Sequence, residues 1–174
     1  EIILERKFYN FFAQNKYPFF LYLREFIWKY GKWKSKYLNQ FIQSINPDII
    51  FIHGFDCLYM WDVLFYVIKL TNAKLVTFIT DDIYSNKYKG FLGKIYTNKL
   101  RRKIERGIEN SSLLYGASND LCDEYSKIFG KCFRPLYKGV NIDNIPIKHS
   151  VNNPIKIVFA GNLYFGRWKT LALI

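Results

Sequence analysis

The chain has 174 residues, half of them apolar and a fifth aromatic, and a formal net charge of +12. That size allows one well-filled domain, and that apolar and aromatic content excludes a disordered chain. The positive excess directs attention to anionic partners: nucleic acid, anionic lipid or phosphorylated small molecules.

The three cysteines, Cys57, Cys122 and Cys132, form no CxxC pair. A disulfide or zinc framework is therefore not expected, and a reducing cytoplasm suits them. With two histidines, His53 and His149, a His-based metal site is not expected either. No cofactor is expected beyond a co-substrate. No run reaches the ~18 apolar residues of a spanning helix; the best, CLYMWDVLFYVIKL, carries Asp62 and Lys69. The first residue is Glu1, and the closing KTLALI reads as a helix just begun. Both ends are expected to be cut from a longer natural protein.

Taken in chain order, residues 1–46 carry helical signals. Phe19, Leu23, Phe26, Ile27 and Tyr30 recur at spacings of three and four, and beyond Gly31 so do Leu38, Phe41, Ile42 and Ile45. Asn46-Pro47-Asp48 stops the second helix. The period then changes. DIIFIHG is a β-branched and aromatic run ending at Gly54, which predicts a buried strand. Residues 57–70 predict a largely buried helix with Cys57, Trp61, Leu64, Phe65 and Ile68 on one face; Asp56 is a candidate for its N-cap. AKLVTFITDD predicts a second strand ending in two acids, followed by a basic helix over about 89–110. LLYGAS predicts a third strand. A helix follows, with Ser118 or Asn119 as its cap and Gly130 as its stop. KCFRPLY predicts a fourth strand.

Strand and helix thus alternate, which predicts an α/β fold: a Rossmann-like parallel sheet with right-handed crossovers, covered on both faces. In such sheets ligands bind outside the C-terminal strand ends. Those ends are His53-Gly54, Thr80-Asp81-Asp82, Gly116-Ala117-Ser118 and Lys138-Gly139. Residues 1–140 form the expected first domain. Residues 141–154, NIDNIPIKHSVNNP, lose periodicity and gain Asn and Pro, as a linker does. Residues 155–174 then open a second domain with the strand KIVFAG.

The order of these pieces resembles a known family. PDIIFIHG, KLVTFITDD, the serine-led helix after LLYGAS, RPLYKGVNID and IKIVFAGNL are similar to the ordered motifs of GT-B glycosyltransferases of the glycosyl-transferases-group-1 type. The resemblance covers roughly residues 46–174. It implies the N-terminal half of a GT-B fold, with the first strand, loop and helix of a second Rossmann-like domain. It also implies transfer of a sugar from a nucleotide-sugar to a glycan or lipid-linked acceptor, in a cleft between the two halves and without a metal. In the family the first half holds the acceptor and the second the nucleotide diphosphate. Where the family has a histidine near the end of the second strand, this chain has Thr80-Asp81-Asp82; Lys138 replaces the usual Asn, and Asn162 the usual Arg. The truncated chain is expected to be inactive alone.

Asp81, Asp82 and His53 are the candidates for acceptor binding. A carboxylate at a strand end accepts a sugar hydroxyl or its proton, and a histidine there does either job or bonds a neighbouring backbone group. The family reading assigns Gly161, Arg167 and Lys169 to the donor diphosphate. The segment 87–106 carries many bases and one acid. Its Lys94, Lys99, Arg101 and Arg102 are candidates for an anionic membrane face, with Tyr88, Phe91 and Tyr96 as interfacial contacts. WKYGKWKSKY, which interleaves Trp28, Tyr30, Trp33 and Tyr37 with lysines, has the same character. The competing reading in both segments is an amphipathic helix whose aromatics face the core.

Two rival classes stand beside this. Gly161 and Gly166 have P-loop spacing, but Arg167-Trp168 stands where an NTPase needs Lys and a Mg²⁺-ligating hydroxyl. The other rival is a basic, aromatic α/β module that binds nucleic acid or an anionic membrane without catalysis. Its bases are spread over several helices and no nucleic-acid signature is present.

Overall fold

The computed structural model describes residues 18–85 and 88–139, together with Lys169 and Ala172. The chain divides into two compact units, Glu1–Lys138 and Gly139–Ile174. The linker expected over 141–154 and the strand expected at 156–161 lie outside the described residues.

In the first unit the described elements run α1 (Pro18–Tyr30), α2 (Lys36–Ile45), β1 (Ile49–His53), α3 (Leu58–Leu70), β2 (Lys74–Ile79), α4 (Gly90–Glu109), β3 (Ser111–Gly116), α5 (Asn119–Phe129) and β4 (Arg134–Pro135). The four strands form one parallel sheet in the order β1-β2-β3-β4. This is the α/β parallel architecture that the alternation predicts. The local stop signals act as the chemistry requires. Ser35 and Ser118 cap α2 and α5 by accepting from the N–H of Leu38 and Leu121, and Gly130 closes α5 at φ 64°. The fourth strand is only two residues long, much shorter than KCFRPLY predicts. Pro135 has no N–H to give, and it sits on an edge strand where that loss is tolerated.

Coverage of the sheet departs from expectation. Ile52, Leu75, Ile79 and Leu114 join Trp61 and Leu64 of α3, Leu100 and Ile104 of α4, and Tyr125 of α5 in a single core. The opposite face carries Ile49, Phe51 and Leu113, which are all exposed, so β1 is not the doubly buried strand that DIIFIHG predicts. The reason is topological. When parallel strands follow one another in sequence order, right-handed crossovers place every connecting helix on the same side. Among the described residues only that side is covered.

Two helices lie outside the α3–α4–α5 layer. α1 packs on α3 and α4, and α2 on α3. The stripe that marks α1 as a helix, Phe19, Leu23, Phe26, Ile27 and Tyr30, points away from the body and is exposed. α1 instead meets its neighbours through Tyr22, Arg24, Glu25 and Trp28. α3 and α4 meet closely at Gly107. A Cβ there would overlap the six-membered ring of Trp61, whose Cε3 would stand at 2.9 Å. Trp61 itself is fully buried and donates from Nε1 to the Phe55 carbonyl at 2.9 Å.

Candidate functional site at the strand ends

The C-terminal ends of β1, β2 and β3 are held level by bonds one residue beyond the ladders. Gly54 N–H donates to the Phe78 carbonyl at 2.8 Å, and Ala117 N–H to the Ile79 carbonyl at 2.9 Å. Gly54 packs close to the core: a Cβ there would stand 2.6 Å from Ile79 Cδ1 and 2.9 Å from Ile83 Cδ1, so those methyls would have to move. These contacts draw the loop after β1 against the loop after β2, so that residues 53–54 and 80–83 form one rim. This is the rim where parallel sheets present their ligand groups.

On that rim the structure joins two groups from adjacent strands. His53 Nε2 lies 2.8 Å from Thr80 Oγ1, in an exposed pair. The imidazole packs edge-on against Phe78, at 5.8 Å between ring centres. Thr80 thus fixes the orientation of the ring.

The two acids that follow have separate jobs. Asp82 Oδ1 accepts from the N–H groups of Tyr84 (3.1 Å) and Ser85 (3.0 Å) and from the Tyr125 hydroxyl (2.9 Å). Tyr125 Oη in turn accepts from the N–H of Ile83 at 3.0 Å and of Tyr84 at 3.1 Å. Partial burial works against the charge of Asp82. The bonds from the Ser85 backbone and side chain, from Tyr125 and from the Tyr84 backbone outweigh it and hold the carboxyl below its usual range. Burial, with the Asp82 charge beside it, pushes the Tyr125 hydroxyl well above its ordinary value. Asp82 therefore pins the loop after β2. Asp81 is exposed, and no hydrogen bond or ion pair engages its carboxylate among the described residues. Of the two acids, Asp81 is the one whose acceptor oxygens remain available to a ligand.

The N-terminus of α3 abuts the same rim. Its N-cap is Cys57, whose side chain caps nothing, and Asp56 does not take the capping role that its position predicts. The cap comes from α1: Glu25 Oε1 accepts from the Leu58 N–H at 3.3 Å, from Tyr96 Oη at 2.8 Å and from Arg24 Nη2 at 3.0 Å. A carboxylate from another helix thus meets the positive end of α3, whose own N-cap residue supplies no side-chain bond. Burial disfavours the Arg24 charge, but the bond to Glu25 and the neighbouring Tyr96 raise its pKa above the ordinary value. Cys57 is buried, and burial raises its thiol, the setting of a packing cysteine rather than a reactive one. No group of three or more His, Cys, Asp or Glu side chains suited to a metal occurs among the described residues.

The remaining sequence candidates are dispersed. Lys94, Lys99 and Arg102 are exposed on α4, and Lys99 Nζ sits 5.9 Å from the Tyr22 ring centre. Arg101 is turned inward: its Nε donates to the Tyr84 carbonyl at 3.0 Å, and its guanidinium lies over the Tyr84 ring. It braces the loop after β2 and is not on an outward face. Tyr96 is fully buried, whereas Phe91 is exposed. Trp28 stacks on Tyr59 and Trp33 packs against Tyr66, while Tyr30 and Tyr37 are exposed. Among the described residues, no helix is long and apolar enough to cross a membrane. Gly161 and Arg167 lie outside the described residues; Lys169 is exposed on helical backbone in the second unit.

No family model, curated protein or solved structure matches the chain. The site therefore stands on its own geometry. Two of its parts escape sequence reading, Tyr125 and Glu25. Each leaves a trace: a tyrosine on an apolar helix face needs a partner for its hydroxyl, and Glu25 is the one acid in PFFLYLREFIWKY.

Proposed function

We propose that this chain is the acceptor-side part of a glycosyltransferase of the GT-B kind. It would work on a glycan or lipid-linked acceptor, with a sugar supplied by a nucleotide-sugar. The observation that carries the reading is the rim at the ends of β1 and β2. There His53 is oriented by Thr80, and Asp81 keeps its carboxylate open to a ligand.

Chemically, Asp81 accepts hydrogen bonds from acceptor hydroxyls and His53 supplies a second polar contact beside it. Asp82, Tyr125 and Arg101 keep the loop between them in place. Gly161, Arg167 and Lys169 remain the candidates for the donor diphosphate, as basic groups and backbone N–H groups do in place of a metal. Contact with an anionic membrane on the cytoplasmic side belongs to the same reading, through Lys94, Lys99 and Arg102 and the exposed Phe91.

The reading is tested by comparing Asp81→Asn with Asp82→Asn in the intact protein. Asp81→Asn lowers sugar transfer by roughly one to two orders of magnitude, the size of hydrogen bonds lost to a charged group, and leaves the fold unchanged. Asp82→Asn lowers stability before it lowers the rate per folded molecule. Unchanged transfer in both variants contradicts the assignment.

A further inference from the structure

A second concave site lies away from the rim, along the outer side of α3. It is an open groove of about 600 Å³ between α1, the turn that follows it, α3 and α4, within the size range of ligand clefts. It extends along α3 from Tyr59 to Leu70, about 16 Å at the helical rise.

Aromatic rings form much of its wall. Trp28 lies flat on Tyr59, at 4.5 Å and 12° between planes. Trp33 meets Tyr66 edge-on at 5.2 Å. These rings are fixed by hydrogen bonds: Trp33 Nε1 donates to the Trp28 carbonyl at 2.7 Å, and Tyr66 Oη donates to Asn39 Oδ1 at 2.5 Å. The wall is therefore prearranged, and binding would not have to order it.

Between the rings stand charges of both signs. Lys29, Lys34, Lys69 and Arg106 line the groove with Glu25 and Asp62. Glu25 is spent internally on Arg24, Tyr96 and the α3 N-terminus. Asp62 is paired with Lys103 but half exposed. Lys34 lies over the rings of Trp33 and Tyr66, and Arg106 over Phe65 at 4.3 Å. Lys69 is exposed, with no partner among the described residues. The groove thus offers ring faces, a positive balance and one exposed carboxylate.

A purely apolar ligand would strand the four cations. A continuous phosphate run would place a charge against Asp62, whereas carboxylates spaced along a hydroxyl-rich chain leave neutral donors to face it. A saccharide chain bearing carboxylates satisfies all three features. Its C–H faces lie on the electron-rich ring faces, its carboxylates meet Lys29 and Lys69, and its hydroxyls donate to Asp62. We propose that this groove binds an acidic oligosaccharide, in extended form along α3. The proposal is independent of sugar transfer at the rim and holds whether or not the protein is a transferase.

Calorimetric titration of the intact protein tests it, with oligogalacturonate as the acidic probe, maltohexaose as the neutral one and oligothymidylate as the nucleic-acid control. Oligogalacturonate binds saturably, at least tenfold tighter than either control. Lys69→Glu weakens it at least tenfold, and Trp33→Ala does the same with circular dichroism confirming the fold. Lys69 is exposed and has no partner among the described residues, so its variant tests the groove without burdening the core. Absence of saturable oligogalacturonate binding overturns the proposal. So does tighter binding of oligothymidylate, or binding that Lys69→Glu leaves unaltered.

Discussion

The hydroxyl of Tyr125 stands at the centre of the loop after β2. It donates to Asp82 at 2.9 Å while accepting from two backbone N–H groups of that same loop, those of Ile83 and Tyr84. One buried side chain on α5 thereby ties the strand end that carries Asp81 to the helix layer.

Removing that hydroxyl isolates its contribution. Tyr125→Phe keeps the ring contacts with Phe129 and Phe133 but deprives Asp82 of a donor and leaves the Ile83 N–H unsatisfied. The expected loss is about 1–3 kcal/mol in urea unfolding, the usual cost of an orphaned buried group. A loss below ~0.5 kcal/mol would show that water replaces the hydroxyl.

Asp82 gives the protein an acid limit. Its carboxyl is depressed below the ordinary 3.8, so the folded state binds its proton less readily than the unfolded chain. The resulting stabilisation is complete above the ordinary value and is lost as pH falls through the depressed one. Unfolding free energy measured between pH 5 and pH 2 should fall less steeply in Asp82→Asn than in the natural sequence. Parallel curves would remove Asp82 from this role.

Gly107 is fixed by Trp61. Alanine would raise helix propensity by about 1 kcal/mol, yet its methyl falls on a fully buried ring, and overpacking costs typically 1–3 kcal/mol or more. Gly107→Ala is therefore expected to lower the melting temperature. In a double-mutant cycle with Trp61→Phe, the cost should shrink, because the smaller ring makes room. Additive losses would mean that the two residues do not meet.

The sequence alone shows the alternation of strands and helices, the serine and glycine caps and the acidic end of β2, because each is written in local chemistry. Which side of an element is covered is not local. α1 has apolar residues around much of its circumference, so spacing reveals the stripe from Phe19 to Tyr30 without revealing that Glu25 and Trp28 face the body. β1 is apolar from Ile49 to Ile52, yet the one-sided layering of helices leaves Ile49 and Phe51 exposed. At the site, two adjacent aspartates read alike in sequence. Only the fold separates Asp82, held by residues 84, 85 and 125, from Asp81. Likewise Glu25 reaches the N-terminus of α3 from 33 residues away, a distance that no capping pattern spans.

The cap from Glu25 is testable in the same way. Glu25→Ala removes the acceptor shared by Leu58 N–H, Tyr96 and Arg24 and leaves the partly buried Arg24 without its counter-charge. A loss of roughly 2–4 kcal/mol is expected, more than for an exposed ion pair. Glu25→Gln, which keeps an acceptor but not the charge, should recover part of it. Equal losses in the two variants would assign the effect to packing.

The central claim is that the intact protein handles a nucleotide-sugar. Its melting temperature, followed in a panel of nucleotide-sugars and in oligonucleotides of mixed sequence, tests this most directly. One nucleotide-sugar at about a hundred times its Kd should stabilise the protein by ~2.7 kcal/mol, a shift of several degrees, while the oligonucleotides produce none. A shift with oligonucleotides and none with any nucleotide-sugar would contradict the account and favour a nucleic-acid-binding module.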